Sequence, residues 1–307
     1  MPDNENMLPS ITVIIPVYND TARLQLCLNA LTKQTYPSEK IDILVVDNNS
    51  AVSCEEVVAK IPNATYLFEK DAGSYAARNK ALAYDSLADV VAFTDSDCIP
   101  DSDWLSQAVA VLMRSTTIGA VGGRVDVFAA NSSASLPELY DIVTGFDQKG
   151  YIQKEHFSVT ANLVTRKDVL NAVGQFNAAL KSSGDKDWCQ RMVKSGYDLV
   201  YCDSAVVNHP ARDSVKSIKT KLRRLYGGFY HNHKYVKKDK LFTPAGLLEA
   251  LMPPVNYIRK MRSMSARLSL STGKQIQLAC FFYTMKLYTL GYRVRLMTGL
   301  AGKVERL

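Results

Sequence analysis

Through the first hundred residues, short runs rich in Val and Ile alternate with stretches of helical spacing. The runs at 11–16, Ile41–Asp47, Ala64–Phe68 and 90–94 are apolar almost throughout and end in turn residues, which predicts buried strands. Between them, 21–33, 53–60 and 74–84 have helical patterns, and Leu24, Leu28 and Leu31 share one face of the first. Continuous apolar strands separated by helices predict a parallel sheet covered on both faces. Ligands bind such sheets beyond the carboxyl ends of the strands. Three of these ends are polar: Tyr18-Asn19-Asp20, Asp47-Asn48-Asn49-Ser50 and Asp95-Ser96-Asp97. One shared site is expected to collect them.

The middle of the chain is more mixed. Ile118–Phe128 reads as a strand kinked at Gly122-Gly123, and 158–165 as another. Helices are expected at Lys167–Val173 and at 187–195, the latter closed by Gly196. Two short strands follow at 199–202 and 206–207. After Arg212, Ile218, Leu222, Leu225 and Phe229 fall on one helical face among Lys219, Lys221, Arg223 and Arg224, a basic amphipathic helix. Further on, Ile276, Cys280, Tyr283, Leu287, Leu290, Val294 and Met297 recur in steps of four and three. Lys286 and Arg293 interrupt that helix, which argues against a membrane span. Packing on the body, pairing with a second copy as a homodimer, and lying in a bilayer interface all stay open.

Charge sharpens this division. Residues 1–211 hold 17 Lys/Arg and 26 Asp/Glu, whereas residues 212–307 hold 20 and 4. The expected organisation is a mildly acidic body, 1–212, with a basic helical extension, 213–307. The extension's charge alone would suit nucleic acid, but its basic residues accompany apolar faces rather than a reading module, so no nucleic acid partner is expected. An anionic membrane surface fits better. The six cysteines form no C-x-x-C pair and sit mostly among apolar neighbours, consistent with free thiols in a reducing cytosol. The polar opening, residues 1–10, has no apolar core and is not expected to be a secretory signal. The expected location is cytoplasmic, peripheral at the inner face of the cell membrane.

Two carboxylates spaced like Asp95 and Asp97, at a strand's end, can hold a divalent cation together with substrate phosphates. The alternative is a pair of solvated loop acids ahead of a helix begun by Pro100 and Ser102. Other segments bear on that choice. The order of "VIIPVYN", "VVDNNS", "AGSYAARNKAL", "FTDSDC", "TANLVTRKDVLNAVGQFN" and "SGDKDWCQRMVKSGY" resembles the family-2 inverting nucleotide-sugar glycosyltransferases with the GT-A fold. The resemblance covers roughly residues 10–212. It departs from the family pattern at Ala81, where glycine is frequent, and at Gly184, where an acid commonly precedes the aspartate.

The resemblance implies an α/β fold, a GT-A (Rossmann-like) mixed, mainly parallel sheet flanked by helices. Pro16, Val17 and Tyr18 would cradle the nucleotide, Asp47 would bond its base, Arg78 its diphosphate, and Asp95 its ribose and diphosphate. Asp97, with His209, would ligate Mn2+ or Mg2+, which suits hard oxygen donors. Asp185 would be the general base of a single displacement, while Asp187 sits where it could cap a helix beginning at Trp188. Gly123 and Arg124 would shape the donor-sugar pocket; Thr160, Ala161 and Asn162 would line the acceptor side, with Asp187 and Trp188 beside them. The implied reaction moves a sugar from a nucleotide donor, UDP-linked by default, to a saccharide or lipid-linked acceptor. The Gln-x-x-Arg-Trp motif of processive synthases is absent at residues 221–226, so transfer of single sugars is expected. The alternative is an inactive membrane-surface scaffold on a transferase fold. A pyrophosphorylase or a dinucleotide oxidoreductase would need a glycine-rich loop after the first strand, and Pro16-Val17-Tyr18-Asn19-Asp20 is not one.

Overall fold

The computed structural model describes residues 8–131, 133–235 and 238–301. Residues 1–7 of the polar opening and 302–307 of the extension lie outside them. The chain divides into two compact units. The first comprises Met1–Asp126, Asp147–Ala179 and Ser183–His209; the second comprises Val127–Phe146, Leu180–Ser182 and Pro210–Leu307. A division at residue 212 leaves the two earlier segments of the second unit in the first.

The first unit is built on strands β1 (Ile11–Val17), β2 (Ile41–Asp47), β3 (Ala64–Phe68) and β4 (Val90–Phe93), which pair with one another in parallel. Val13 lies opposite Ile43 on one side and Ala92 on the other. Because successive side chains alternate across a strand, each strand feeds two cores. Val13, Ile15, Ile43, Val45 and Ala92 enter one, covered by α1 (Thr21–Leu31) and α4 (Trp104–Leu112). Ile14, Leu44, Val46, Val91 and Phe93 enter the other, covered by α3 (Ser74–Leu82), α7 (Lys167–Val173) and α8 (Gly184–Lys194). Burial on both faces is why these strands read as unbroken apolar runs.

Beyond β4 the sheet turns antiparallel. The full order is β3-β2-β1-β4-β7-β6-β8-β5, with β5 at Ile99–Pro100, β6 at Ile118–Phe128, β7 at Leu163–Arg166 and β8 at Asp198–Pro210. β7 pairs antiparallel with both β4 and β6. The mixed sheet flanked by helices agrees with the expected fold class.

Local differences from the sequence reading have physical causes. The strand expected at 158–165 is a 3-10 turn, Thr160–Asn162, followed by β7, because the Asn162 side chain is drawn into bonds with three other segments. The two strands at 199–202 and 206–207 are one strand, β8, whose exposed Asp203-Ser204 interrupts the apolar run but not the strand. The helix at 53–60 shortens to α2, Glu55–Val58, and a further helix, α6, occupies Gln148–Glu155. α8 begins at Gly184 rather than at residue 187, and Gly196 follows it with φ 92°, as a C-terminal glycine should.

The second unit is helical. Its core joins Leu139, Tyr140 and Val143 of α5 (Leu136–Thr144), Ile218 and Leu222 of α9 (Val215–Tyr235), Met261 of α11 (Val255–Met264), and Leu278, Phe282 and Met285 of α12 (Thr272–Met297). Buried Asp141 bonds Lys221 Nζ at 2.6 Å and Arg212 at 3.1 Å, so the basic helix is tied inward by one acid. Among the described residues, no helix is long and apolar enough to cross a membrane.

Candidate active site

The carboxyl ends of β1 and β2 are locked together. Asn19 and Asn49 both adopt left-handed backbone (φ 51° and 64°), which asparagine tolerates better than most residues. The Asn19 amide donates to Ser50 Oγ at 2.9 Å, and the Ala51 amide donates to Asn19 Oδ1 at 2.7 Å. Pro16 and Val17 are buried and carry the strand to this edge, where Tyr18 is partly exposed. Asp47 is buried at the end of β2 and accepts from the Ser50 amide (2.9 Å) and the Tyr66 hydroxyl (3.3 Å). Asn48, not singled out in the sequence, holds the next turn. Its amide donates to the carbonyls of Glu69 (3.1 Å) and Asp71 (2.7 Å), and its Oδ1 accepts from the Gly73 amide at 2.8 Å. Gly73, at φ 132°, then opens α3.

Charged groups converge where α3, the turn after β4 and the start of α8 meet. Arg78 is 2% exposed and donates from Nη2 to Asp95 Oδ1 at 2.5 Å. Its Nη1 donates to the Ser74 carbonyl, and its buried Nε has no hydrogen-bond partner among the described residues. Such an unmatched guanidinium donor favours an incoming acceptor oxygen. Asp97, two residues on, faces another way: its Oδ2 lies 3.3 Å from Nε2 of the buried His209 and 3.8 Å from Arg23. The two acids of Asp95-Ser96-Asp97 therefore face different basic groups.

Asp185 lies in the first turn of α8, where the helix dipole favours an anion. Its Oδ1 accepts from the Lys186 amide at 2.9 Å and, at 3.4 Å, from the Tyr75 hydroxyl. Burial pushes its carboxyl above the usual aspartate range; the Lys186 bond and Arg78 pull it down, and Asp95 pushes it up. A carboxylate of raised proton affinity beside a fixed guanidinium is suited to taking up a proton. Tyr75 itself is pushed up by burial and by Asp185. Its ring stacks on Phe176 at 5.9 Å and lies over Gly184, where an added Cβ would come within 2.6 Å of it. Glycine at the position where an acid is common thus has a local cause: the ring fills the space.

Most of the other candidates are buried in the scaffold. Trp188 is fully buried, and its indole donates to the Gly174 carbonyl at 2.8 Å, so it has no surface to offer a sugar. Asp187 does not cap a helix; it lies in the first turn of α8 and bonds Arg191 at 3.0 Å. Asn162 accepts from the Trp104 indole (2.8 Å) and donates to the carbonyls of Arg124 (2.8 Å) and Ala205 (2.9 Å). Gly123 is buried against it, and a Cβ there would meet the Ala205 carbonyl at 2.1 Å. Thr160 and Ala161 are buried, the latter accepting from the Thr94 hydroxyl at 3.1 Å. Arg124 is partly exposed and pairs with Asp126 (3.1 Å) and Asp203 (3.0 Å).

The glycosyl transferase family 2 model matches residues 12–178. The chain is 38% identical over 221 residues to glycosyltransferase AglE of Haloferax volcanii, covering 70% of this chain and 72% of that one. It is 26% identical over 213 residues to the O-antigen chain rhamnosyltransferase WbaN of Salmonella anatum, covering 66% of each. Among solved structures, the mannosyltransferase PcManGT of Pyrobaculum calidifontis, in complex with GDP-Man and Mn2+, aligns with TM-score 0.61 at 20% identity, over 94% of this chain and 87% of that one. With the sheet order and the polar strand ends as described, the chain belongs to glycosyl transferase family 2 and is a glycosyltransferase of the GT-A fold.

Proposed function

We propose that the chain transfers single sugars, with inversion, from a nucleoside-diphosphate-sugar to an acceptor hydroxyl, Asp185 acting as general base. The observation that carries this reading is the raised carboxyl of Asp185 beside the Arg78–Asp95 pair. In the displacement, the acceptor oxygen forms its bond to the anomeric carbon as the bond from that carbon to the diphosphate oxygen breaks. The acceptor's proton passes to Asp185, and the nucleoside diphosphate leaves with the bonding pair. Asp47 and Tyr18 hold the nucleoside, and Arg78 offsets the diphosphate's charge.

The residues present suit a divalent cation. Among the described residues no three His, Cys, Asp or Glu side chains gather to hold a metal, but Asp97 and His209 supply a carboxylate and an imidazole side by side. Two protein donors suffice where substrate phosphate and water fill the remaining positions, as is usual for Mg2+. When bound, Mn2+ or Mg2+ would act as a Lewis acid on the leaving diphosphate. The acceptor is a saccharide or a lipid-linked saccharide.

The test is a screen of UDP-, GDP- and dTDP-sugars with Mn2+, Mg2+ or a chelator, reading thermal stabilisation first and then transfer. Asp185→Asn is expected to keep donor-dependent stabilisation and to lose transfer by roughly 10²–10⁴-fold. Asp97→Ala is expected to lose metal-dependent stabilisation. Transfer by both variants at the parent rate would sink the enzymatic roles assigned here and restore the scaffold alternative.

A further inference from the structure

The outer face of the helical unit is apolar where a soluble face would be polar. Leu278, Phe282, Met285, Thr289, Arg293 and Leu296 turn α12 toward the unit's own core. The opposite side carries Ile276 (61% exposed), Tyr283, Leu287, Val294 (42%) and Met297. α10 (Pro244–Leu251) runs into a corner, Met252-Pro253-Pro254, before α11. The corner is pinned to this same side of α12: the Tyr283 hydroxyl donates to the Leu251 carbonyl at 3.0 Å and Lys286 Nζ to the Met252 carbonyl at 2.6 Å. Leu248 (65%), Leu251, Met252 (62%) and Val255 are exposed there. Most of the large exposed apolar side chains among the described residues lie between Leu248 and Leu300.

Charge selects the occupant. From residue 240 to 301 the sequence has nine Lys/Arg and a single acid, Glu249. Arg259, Arg262 and Arg267, on α11 and just after it, are exposed. An apolar face rimmed by cations, on helices not suited to spanning a bilayer, is the make-up of an interfacial surface. The geometry points to docking of the α10–α11 corner and the outer side of α12 on an anionic phospholipid bilayer. Apolar side chains enter the headgroup boundary, and the arginines meet lipid phosphates. A second copy would cover the apolar stripe but would set one basic rim against another.

The test uses the full chain and needs no substrate. Flotation is measured with phosphatidylcholine vesicles, with or without about 30% phosphatidylglycerol, at low and physiological salt. Cys280, exposed on α12 while the other cysteines are buried, takes an environment-sensitive fluorophore. Three results are expected together. Binding to anionic vesicles is at least about tenfold tighter than to neutral ones. The fluorophore is quenched by spin-labelled lipid. The Leu251→Glu, Met252→Glu double variant weakens binding by about tenfold or more with an unchanged melting temperature. An Arg259→Glu, Arg262→Glu variant tests the rim separately and should remove the preference for anionic lipid. The proposal is overturned if the chain fails to float at low salt. It is equally overturned if the corner variants bind like the parent, or if ultracentrifugation shows a lipid-independent dimer that shields Cys280.

Discussion

Gly184→Ala probes the contact between the start of α8 and Tyr75. An alanine Cβ would lie 2.6 Å from Tyr75 Cε2 and 2.8 Å from Cδ2 and Cζ. Three atoms of one ring are met at once, so no rotation of a flexible tip relieves the clash. Restoring an ordinary contact of 3.4 Å needs a retreat of about 0.8 Å. The Tyr75 hydroxyl already sits 3.4 Å from Asp185, so a retreat of that size ends the hydrogen bond.

Stability should change little. Overpacking costs about 1–3 kcal/mol, and alanine recovers up to about 1 kcal/mol of helix propensity. The net loss is then about 1 kcal/mol, a few degrees in melting temperature. Activity should fall much further, because misplacing a reacting group by about 1 Å can cost about 10²-fold. The assay is kcat across pH, with melts, for Gly184→Ala, Tyr75→Ser and the double variant. The alanine should cost far less in the Tyr75→Ser background, with a coupling of about 1 kcal/mol or more. Parent-like kcat in Gly184→Ala, or the same loss with and without the tyrosine ring, would refute the reasoning.

Three further outcomes follow from the charges. The carboxyl of Asp185 is raised in the folded protein, so its ionised form costs stability as pH climbs from the ordinary aspartate range through the raised value. Asp185→Asn should therefore melt no lower than the parent at neutral pH, while the parent's kcat should have its acidic limb above the usual carboxylate range; a lower melting temperature for the variant would contradict this. Tyr75→Phe removes a donor to that carboxylate and should move the same limb to higher pH, and an unmoved limb would count against the contact. In the helical unit, burial pushes the Asp141 carboxyl up, but Lys221 and Arg212 more than offset it and hold it low. Asp141→Asn strands both cations and should cost about 3 kcal/mol in denaturant melts, an effect to be absent in a Lys221→Met, Arg212→Met, Asp141→Leu triple variant.

The parallel half of the sheet was legible because burial on both faces leaves an unbroken apolar signature, and each strand ends where its polar residues begin. The antiparallel half was less so. β8 runs unbroken through Asp203-Ser204, and a hydrophobicity pattern cannot separate an exposed strand segment from a break. The site divides along a similar line. Asp47, Asp95 and Asp97 were singled out at polar strand ends, and Arg78 and Asp185 through the motifs that carry the resemblance; the structure sets Arg78 against Asp95 with Asp185 near it. Asn162 and Trp188 stand in the quoted motifs, and Gly123 outside them, yet all three are buried in the scaffold; adjacency in sequence does not distinguish a residue facing a ligand from one bracing its neighbour. Tyr75 was missed because what gives it a role, Asp185 and Gly184, lies about 110 residues away.

The two aspartate pairs show how such spacing divides labour. Asp185 and Asp187 occupy one helix, where two residues correspond to a turn of about 200°. They must face opposite ways: Asp185 meets the Tyr75 hydroxyl with Arg78 near it, and Asp187 is taken up by Arg191. Asp95 and Asp97 lie in a turn rather than a helix, yet they also part, one to Arg78 and the other to His209. Asp95 from one pair and Asp185 from the other are neighbours of Arg78. Exchanging Asp95 with Ser96, or Asp185 with Lys186, would keep composition and still dismantle the site, because its chemistry depends on which way each carboxylate points.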